Sequence, residues 1–130
     1  MDELDRRLVA ALLENARASY AELGRTVGLS GPSVQERVRR LEERGVIAGY
    51  HAAVRPSDLG LDVTALIGLL LSDGARPSAV LERLERIREI EDCWYVAGEE
   101  SYVLKVRLHT VEALEELLGR LLQVEGVSRT

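Results

Sequence analysis

Between Arg37 and Arg44 the chain carries four arginines, at positions 37, 39, 40 and 44. On a wheel turning about 100° per residue, Ser33, Arg37, Arg40 and Arg44 share one flank. Val34, Val38 and Leu41 form the neighbouring stripe, while Gln35, Arg39 and Glu42 lie opposite. A helix of this kind can read DNA. Its apolar stripe anchors it to partner helices, and its guanidinium and short polar groups face phosphates and base edges. Arg37, Arg40 and Arg44 are the candidates for phosphates or guanine edges, Ser33 and Gln35 for base-edge hydrogen bonds, and Ser30 stands at the start of the helix. The same residues also fit a plain solvated face. Glu36 and Arg40, like Arg39 and Glu43, stand at i,i+4, a spacing worth only ~0.2–0.5 kcal/mol per pair.

Other chemistry finds less material. The single cysteine, Cys93, can build neither an internal disulfide framework nor a cysteine-based zinc cluster. Two distant histidines, His51 and His109, supply no nucleophile–base pair and no metal cluster. Glu99 and Glu100 are adjacent, so they point apart and make a poor acid–base pair. No catalytic residue, metal or cofactor is assigned. Gly98, Glu99, Glu100 and Ser101 form a polar, glycine-containing turn ahead of Tyr102, which reads either as a ligand loop or as a simple hairpin turn.

The elements that position these groups follow from local patterns. A first helix over about residues 2–15 aligns Leu4, Leu8, Ala11 and Leu12. Ser19 and Glu22 make a capping box for a second helix, which Gly28 ends. Ser30 caps a third helix with Pro32 in its first turn, and Gly45 stops it. Two helices joined by so short a glycine-containing turn form a helix-turn-helix. Residues 46–54 read as extended chain, a possible wing strand. Beyond them the order is β-α-β-β-α-β: a strand over 63–71, an amphipathic helix over 78–90, a strand over 93–96, and the alternating strand 102–109. A helix capped by Thr110 and a strand beginning at Gly126 complete the order. This predicts an α+β protein whose second half is a ferredoxin-like antiparallel sheet with both helices on one face. The opposite face, apolar and uncovered, predicts a homodimer. A last strand of about three residues would be a truncated one.

Composition agrees with two halves. The chain of 130 residues is 46% hydrophobic and 30% charged, enough to bury a core. Its net charge is −5, which on its face disfavours nucleic acid. Residues 1–50, however, balance eight arginines against eight carboxylates, and the whole excess of acid lies beyond. We divide the chain into a DNA-binding domain at 1–50, a linker at 51–60, and a ligand-sensing and oligomerisation domain at 61–130. No apolar run approaches the ~18–20 residues that span a bilayer. The acidic start, Met1-Asp2-Glu3, is unlike a secretory signal and predicts a cytoplasmic protein with no membrane partner.

The sequence resembles the Lrp/AsnC (leucine-responsive regulatory protein/asparagine-synthetase activator) family of prokaryotic transcription regulators over nearly its whole length. The resemblance rests on Leu4-Asp5-Arg6-Arg7-Leu8, on Leu23-Gly24-Arg25-Thr26-Val27-Gly28-Leu29-Ser30, and above all on the block from Val34 to Ile47 followed by Gly49-Tyr50. In the second half it rests on Val96-Ala97-Gly98-Glu99-Glu100-Ser101-Tyr102 and Glu125-Gly126-Val127. It implies a winged helix-turn-helix joined by a strand to a ferredoxin-like regulatory domain. It further implies dimers that assemble into octamer-like rings, and a small effector, commonly an amino acid, bound between dimers. The effector loop corresponds to Gly98, Glu99, Glu100, Ser101 and Tyr102. Here Glu99 and Ser101 replace the two aspartates of a common Gly-Asp-x-Asp-Tyr pattern. Two alternatives remain beside this reading: a metabolite-sensing module without DNA contact, and a sirohaem-decarboxylase-like enzyme of similar architecture.

Overall fold

In the computed structural model, which describes residues 1–130, each N-terminal helix starts on a side-chain cap. Helix α1 (Glu3–Glu14) begins at Asp2, whose Oδ1 accepts from the Asp5 N–H at 2.8 Å, while Asp5 Oδ2 accepts from the Asp2 N–H at 3.2 Å. Helix α2 (Tyr20–Val27) has the expected capping box between Ser19 and Glu22, and its C-cap Gly28 adopts φ 76°. Helix α3 (Gly31–Glu43) is capped by the Ser30 hydroxyl, which accepts from the Ser33 N–H. At its other end Gly45, at φ 71°, lets the Val46 N–H reach the Leu41 carbonyl and its own N–H reach Glu42. That pair of bonds is the Schellman arrangement, which satisfies carbonyls a helix end would otherwise leave open.

Residues 1–53 form one compact unit and residues 54–130 another. In the first, Leu8, Leu23, Val27, Val34 and Val38 form the core, with Leu4, Ala11, Leu12 and Ile47 packed around it. Residues 46–54 form no strand, contrary to the expected wing. A strand requires a neighbour to pair with, and this unit contains none. The segment is held instead by the N–H groups of Val46 and Ile47 on the Leu41 carbonyl, and by the Tyr50 hydroxyl, which donates to Glu42 at 2.8 Å. Burial first, and then that bond, push the Tyr50 hydroxyl pKa up to about 12.

The second unit opens with a 3-10 turn over Pro56–Leu59 and then runs β1 (Val63–Leu71), α4 (Pro77–Leu84), β2 (Ile90–Tyr95), β3 (Tyr102–Leu108), α5 (Val111–Leu122) and β4 (Val127–Arg129). The sheet is antiparallel, in the order β2-β3-β1-β4 expected of a ferredoxin-like fold. Ile67 and Leu69 of β1, with Tyr102, Leu104, Val106 and Leu108 of β3, bury one face against Val80 and Leu84 of α4 and Leu117 and Leu121 of α5. Helix α4 is shorter than expected. Ile90 keeps the helical spacing of the apolar stripe, but it pairs with Val106 and so belongs to β2. The chain leaves the helix after Leu84 through turns at Ile87 and Ile90. No helix is long and apolar enough to cross a membrane.

Candidate nucleic-acid interface

The turn between α2 and α3 is tight because Gly24 permits it. Its carbonyl accepts from both the Gly28 N–H (2.8 Å) and the Leu29 N–H (2.9 Å), which draws the turn onto the helix. A methyl at Gly24 would fall on the Leu29 carbonyl oxygen. This close approach sets α3 against α2. Val34, Val38 and Leu41 are buried, and the other side of α3 faces outward.

Ser33, Arg40 and Arg44 are all exposed on one flank of that outer side, as is Ser30 at the helix start, and Gln35 is exposed on the opposite flank. The Ser30 hydroxyl donates to the Ser33 hydroxyl at 2.9 Å, so the two act as one polar patch at the N-terminal end of α3. The arginines are not equivalent. Arg39 is engaged within its own helix by Glu36 (2.7 Å) and Glu43. Arg40 lies 3.9 Å from Glu36, a loose contact between two half-exposed side chains. Such a contact contributes little to stability and leaves the guanidinium available. Arg44 lies on the same rim. Arg37, Arg40 and Arg44 converge with Asp2 and Asp5 around a cleft of about 130 Å³.

Arg37 differs from the sequence expectation. Its Nη1 donates to Asp2 Oδ2 at 2.7 Å and to Asp5 Oδ1 at 2.8 Å, and its side chain is only 22% exposed. The guanidinium expected at DNA is thus already bound to carboxylates 35 and 32 residues away. The Asp2 carboxyl is held below its ordinary value, by the Arg37 hydrogen bond and then by the Asp5 N–H. Burial works to raise Asp5, but hydrogen bonds from Arg37 and the Asp2 N–H outweigh it and leave that pKa lowered as well. Asp2 and Asp5 are not among the residues expected at this site. The signal was present, because Asp-x-x-Asp ahead of an apolar stripe is a helix start with reciprocal caps.

In the second unit, Gly98, Glu99 and Glu100 are exposed and Ser101 is half-buried. The Ser101 N–H donates to the Leu69 carbonyl at 2.8 Å, and its carbonyl accepts from Val96, which closes the loop against β1. Glu100 lies across Gly68, so that a Cβ at residue 68 would come within 2.7 Å of the Glu100 Cγ. Tyr102, expected with the loop, is instead part of the core. It is 3% exposed, its hydroxyl donates to the Pro77 carbonyl at 2.9 Å, and its ring meets Tyr95 edge to face at 5.3 Å. Tyr102 is thus buried where the loop joins β3, while Gly98, Glu99 and Glu100 are exposed.

A larger open cleft of about 430 Å³, not anticipated from the sequence, is lined by Leu61, Arg88, Glu89, Glu91, Arg107 and His109, among others. Most of its charges are already paired. Arg107 binds Glu91 and Thr64, Arg120 binds Glu89, and His109 Nδ1 lies 2.8 Å from the Gly60 carbonyl. No group of three or more His, Cys, Asp or Glu side chains is arranged to hold a metal ion. Cys93 is half-buried, and burial followed by the nearby Glu85 raises its thiol pKa, the opposite of what a nucleophile requires.

Comparison with known proteins covers both units. Residues 1–42 match the AsnC-type helix-turn-helix domain, and residues 64–130 match the Lrp/AsnC ligand binding domain. The chain is 46% identical over 121 residues to the HTH-type transcriptional regulator LrpA of Mycobacterium tuberculosis, covering 93% of this chain and 81% of that one. It is 35% identical over 118 residues to the regulatory protein AsnC of Escherichia coli (91% and 78%). Among solved structures it resembles a feast or famine regulatory protein of M. tuberculosis complexed with L-methionine. That match has a TM-score of 0.91 and 45% identity, covering 98% of this chain and 86% of the other.

Proposed function

Since the chain belongs to the Lrp/AsnC family of DNA-binding transcriptional regulators, we propose that it regulates transcription by setting α3 into the major groove under the control of an amino-acid effector. The observation that carries this reading is the division of α3 into a fully buried apolar stripe and an exposed flank bearing Arg40 and Arg44. Arg40 and Arg44 contact phosphates or guanine edges. Ser33 and Gln35 hydrogen-bond to base edges, and Ser30 orients the end of the helix that enters the groove.

A homodimer brings two α3 helices to successive major grooves. The open face of the sheet supports such pairing, with Leu66 69% and Trp94 45% exposed there, because apolar side chains on an uncovered sheet favour association. Dimers assemble further, toward an octamer. The effector binds between dimers at Gly98, Glu99, Glu100 and Ser101, where a carboxylate suits an ammonium group. The methionine bound to the M. tuberculosis relative supports the amino-acid class. Binding shifts the packing between dimers and so alters the spacing of the DNA-binding units. Such a regulator works in the cytoplasm and has no catalytic step.

Fluorescence anisotropy on duplex DNA from upstream of the protein's own reading frame, against a scrambled duplex, tests this across a salt series with and without L-methionine or an amino-acid pool. Tighter binding to the upstream duplex that weakens with salt and responds to an amino acid is the expected result. Equal, salt-insensitive or absent binding would overturn the proposal.

A further inference from the structure

We infer that Arg37 acts on DNA recognition as a positioning residue, clamping the recognition helix to the capped start of α1, and does not itself contact a phosphate. The inference rests on the DNA-binding reading above.

The geometry behind it is a closed network. Asp2 uses Oδ1 to cap α1 and Oδ2 to accept from Arg37, while Asp5 uses Oδ2 for the reciprocal cap and Oδ1 to accept from Arg37. All four carboxylate oxygens are engaged, and both protons of one guanidinium nitrogen are used. Charge-assisted bonds of this kind are the strong class of hydrogen bond. Asp5 and Arg37 are also partly withdrawn from water, at 14% and 22% side-chain exposure, so solvent weakens the pair less than it weakens Arg40–Glu36. The network joins the first turn of α1 to the middle of α3, one turn before Arg40 and two before Arg44. It therefore fixes the height and roll of the flank on which those two guanidinium groups stand.

Recognition of an oriented duplex is sensitive to such placement, and simple electrostatics would give the opposite answer. If Arg37 were a phosphate contact restrained by two carboxylates, neutralising Asp2 or Asp5 would release it and tighten binding. If Arg37 is a clamp, neutralising either carboxylate loosens α3 and weakens binding, although a negative charge has been removed from the DNA-facing side.

The test uses the full chain on its upstream duplex, with anisotropy over a salt series well below the unfolding midpoint and circular dichroism to confirm folding. The variants are Arg37→Ala, Arg37→Lys, Asp2→Asn, Asp5→Asn, Arg40→Ala and the double Arg37→Ala/Asp5→Asn. Arg37→Ala and Asp5→Asn are each expected to weaken binding about tenfold with the salt slope unchanged, and the double variant to be no worse than the poorer single one, as for two halves of one interaction. Arg37→Lys should recover part of the loss. Arg40→Ala should lower the slope by ~0.9, one released counterion, as a phosphate contact does. A role confined to stability would leave the affinity of the folded variants unchanged and would overturn the inference. So would a slope lowered by ~0.9 in Arg37→Ala, or tighter binding by Asp5→Asn. If Arg37→Ala does not fold, Asp2→Asn, which leaves the Asp5 bond in place, carries the same test of sign. Absence of binding by the unaltered protein would overturn the DNA-binding reading itself and is told apart because it precedes any variant.

Discussion

Replacing Gly24 by alanine should destabilise the N-terminal unit, although helix propensity alone says the reverse. Gly24 lies in the interior of α2, where alanine is favoured over glycine by about 1 kcal/mol. Against that gain stands the Leu29 carbonyl oxygen, which the new methyl would meet well inside 3.0 Å. The obstacle is backbone, so it cannot rotate away as a side chain would. It is also held in place, because the Leu29 and Gly28 N–H groups both donate to the Gly24 carbonyl. Relief requires moving the turn and with it the start of α3, which breaks at least one of those bonds. Overpacking of this kind costs about 1–3 kcal/mol, and a lost turn hydrogen bond about 1 more. Subtracting the propensity gain leaves a net loss of about 1–3 kcal/mol. In a unit of this size that lowers the midpoint by at least 4–8 °C per kcal/mol or so. Thermal unfolding followed by far-ultraviolet circular dichroism would show it, with Gly119→Ala as control, because a methyl on α5 at Gly119 meets nothing. DNA affinity measured below the midpoint should fall too, since the displaced turn carries Ser30 and the displaced start of α3 carries Ser33. A Gly24→Ala protein as stable as the parent would refute the claim that this close approach sets α3.

Other expectations follow from the same geometry. Gln35→Ala should relax discrimination at one base pair by about 1–3 kcal/mol while leaving the salt slope unchanged, as read by anisotropy on single-substituted duplexes. Leu104→Ala, in a fully buried position at the centre of the sheet, should cost about 2–5 kcal/mol in urea denaturation, and a loss under about 1 kcal/mol would contradict its place in the core. Acid should act on the first unit in a defined direction. The Asp2 and Asp5 carboxyls are lowered from 3.8, so the stability they contribute is complete above that value and is lost as pH falls through their folded values. Melting temperatures from pH 7 to pH 2 should be flat down to about 5 and then drop, because Glu22 and Glu36 of the same unit are also lowered, from 4.5, by the Ser19 N–H and by Arg39, and Asp5→Asn should shrink the lower part of the drop. Gly68→Ala should push aside the Glu100 side chain, which is flexible, at a stability cost under about 1 kcal/mol. Its signature would be an altered response of DNA affinity to an amino-acid pool, and an unchanged response would remove Glu100 from the effector loop's working set.

Much of this protein is encoded locally and is legible in its sequence. Ser19 with Glu22, Ser30, Gly28 and Gly45 mark the helix ends, because a cap is made between residues two to four positions apart. The alternation of Tyr102, Leu104, Val106 and Leu108 with Val103, Lys105 and Arg107 predicts which face of β3 is buried, because the pleat has a period of two. The outward flank of α3 follows in the same way from a period of 3.6. What the sequence could not supply are partners chosen across the chain. Periodicity puts Arg37 on the flank of Arg40 and Arg44, yet its carboxylates lie in the first turn of α1. Tyr102 adjoins the loop in sequence, yet its hydroxyl is taken by the Pro77 carbonyl 25 residues earlier. The helical stripe through Ile87 and Ile90 continues on paper past Leu84, but pairing of Ile90 with Val106 ends the helix there. Residues 46–54 are extended by composition and have no strand beside them to pair with. Periodicity and capping depend on neighbours within one or two turns, so the amino-acid order determines them directly. The partner of a long arginine or of a strand edge depends on where the folded path brings distant segments together, and only the tertiary structure decides that.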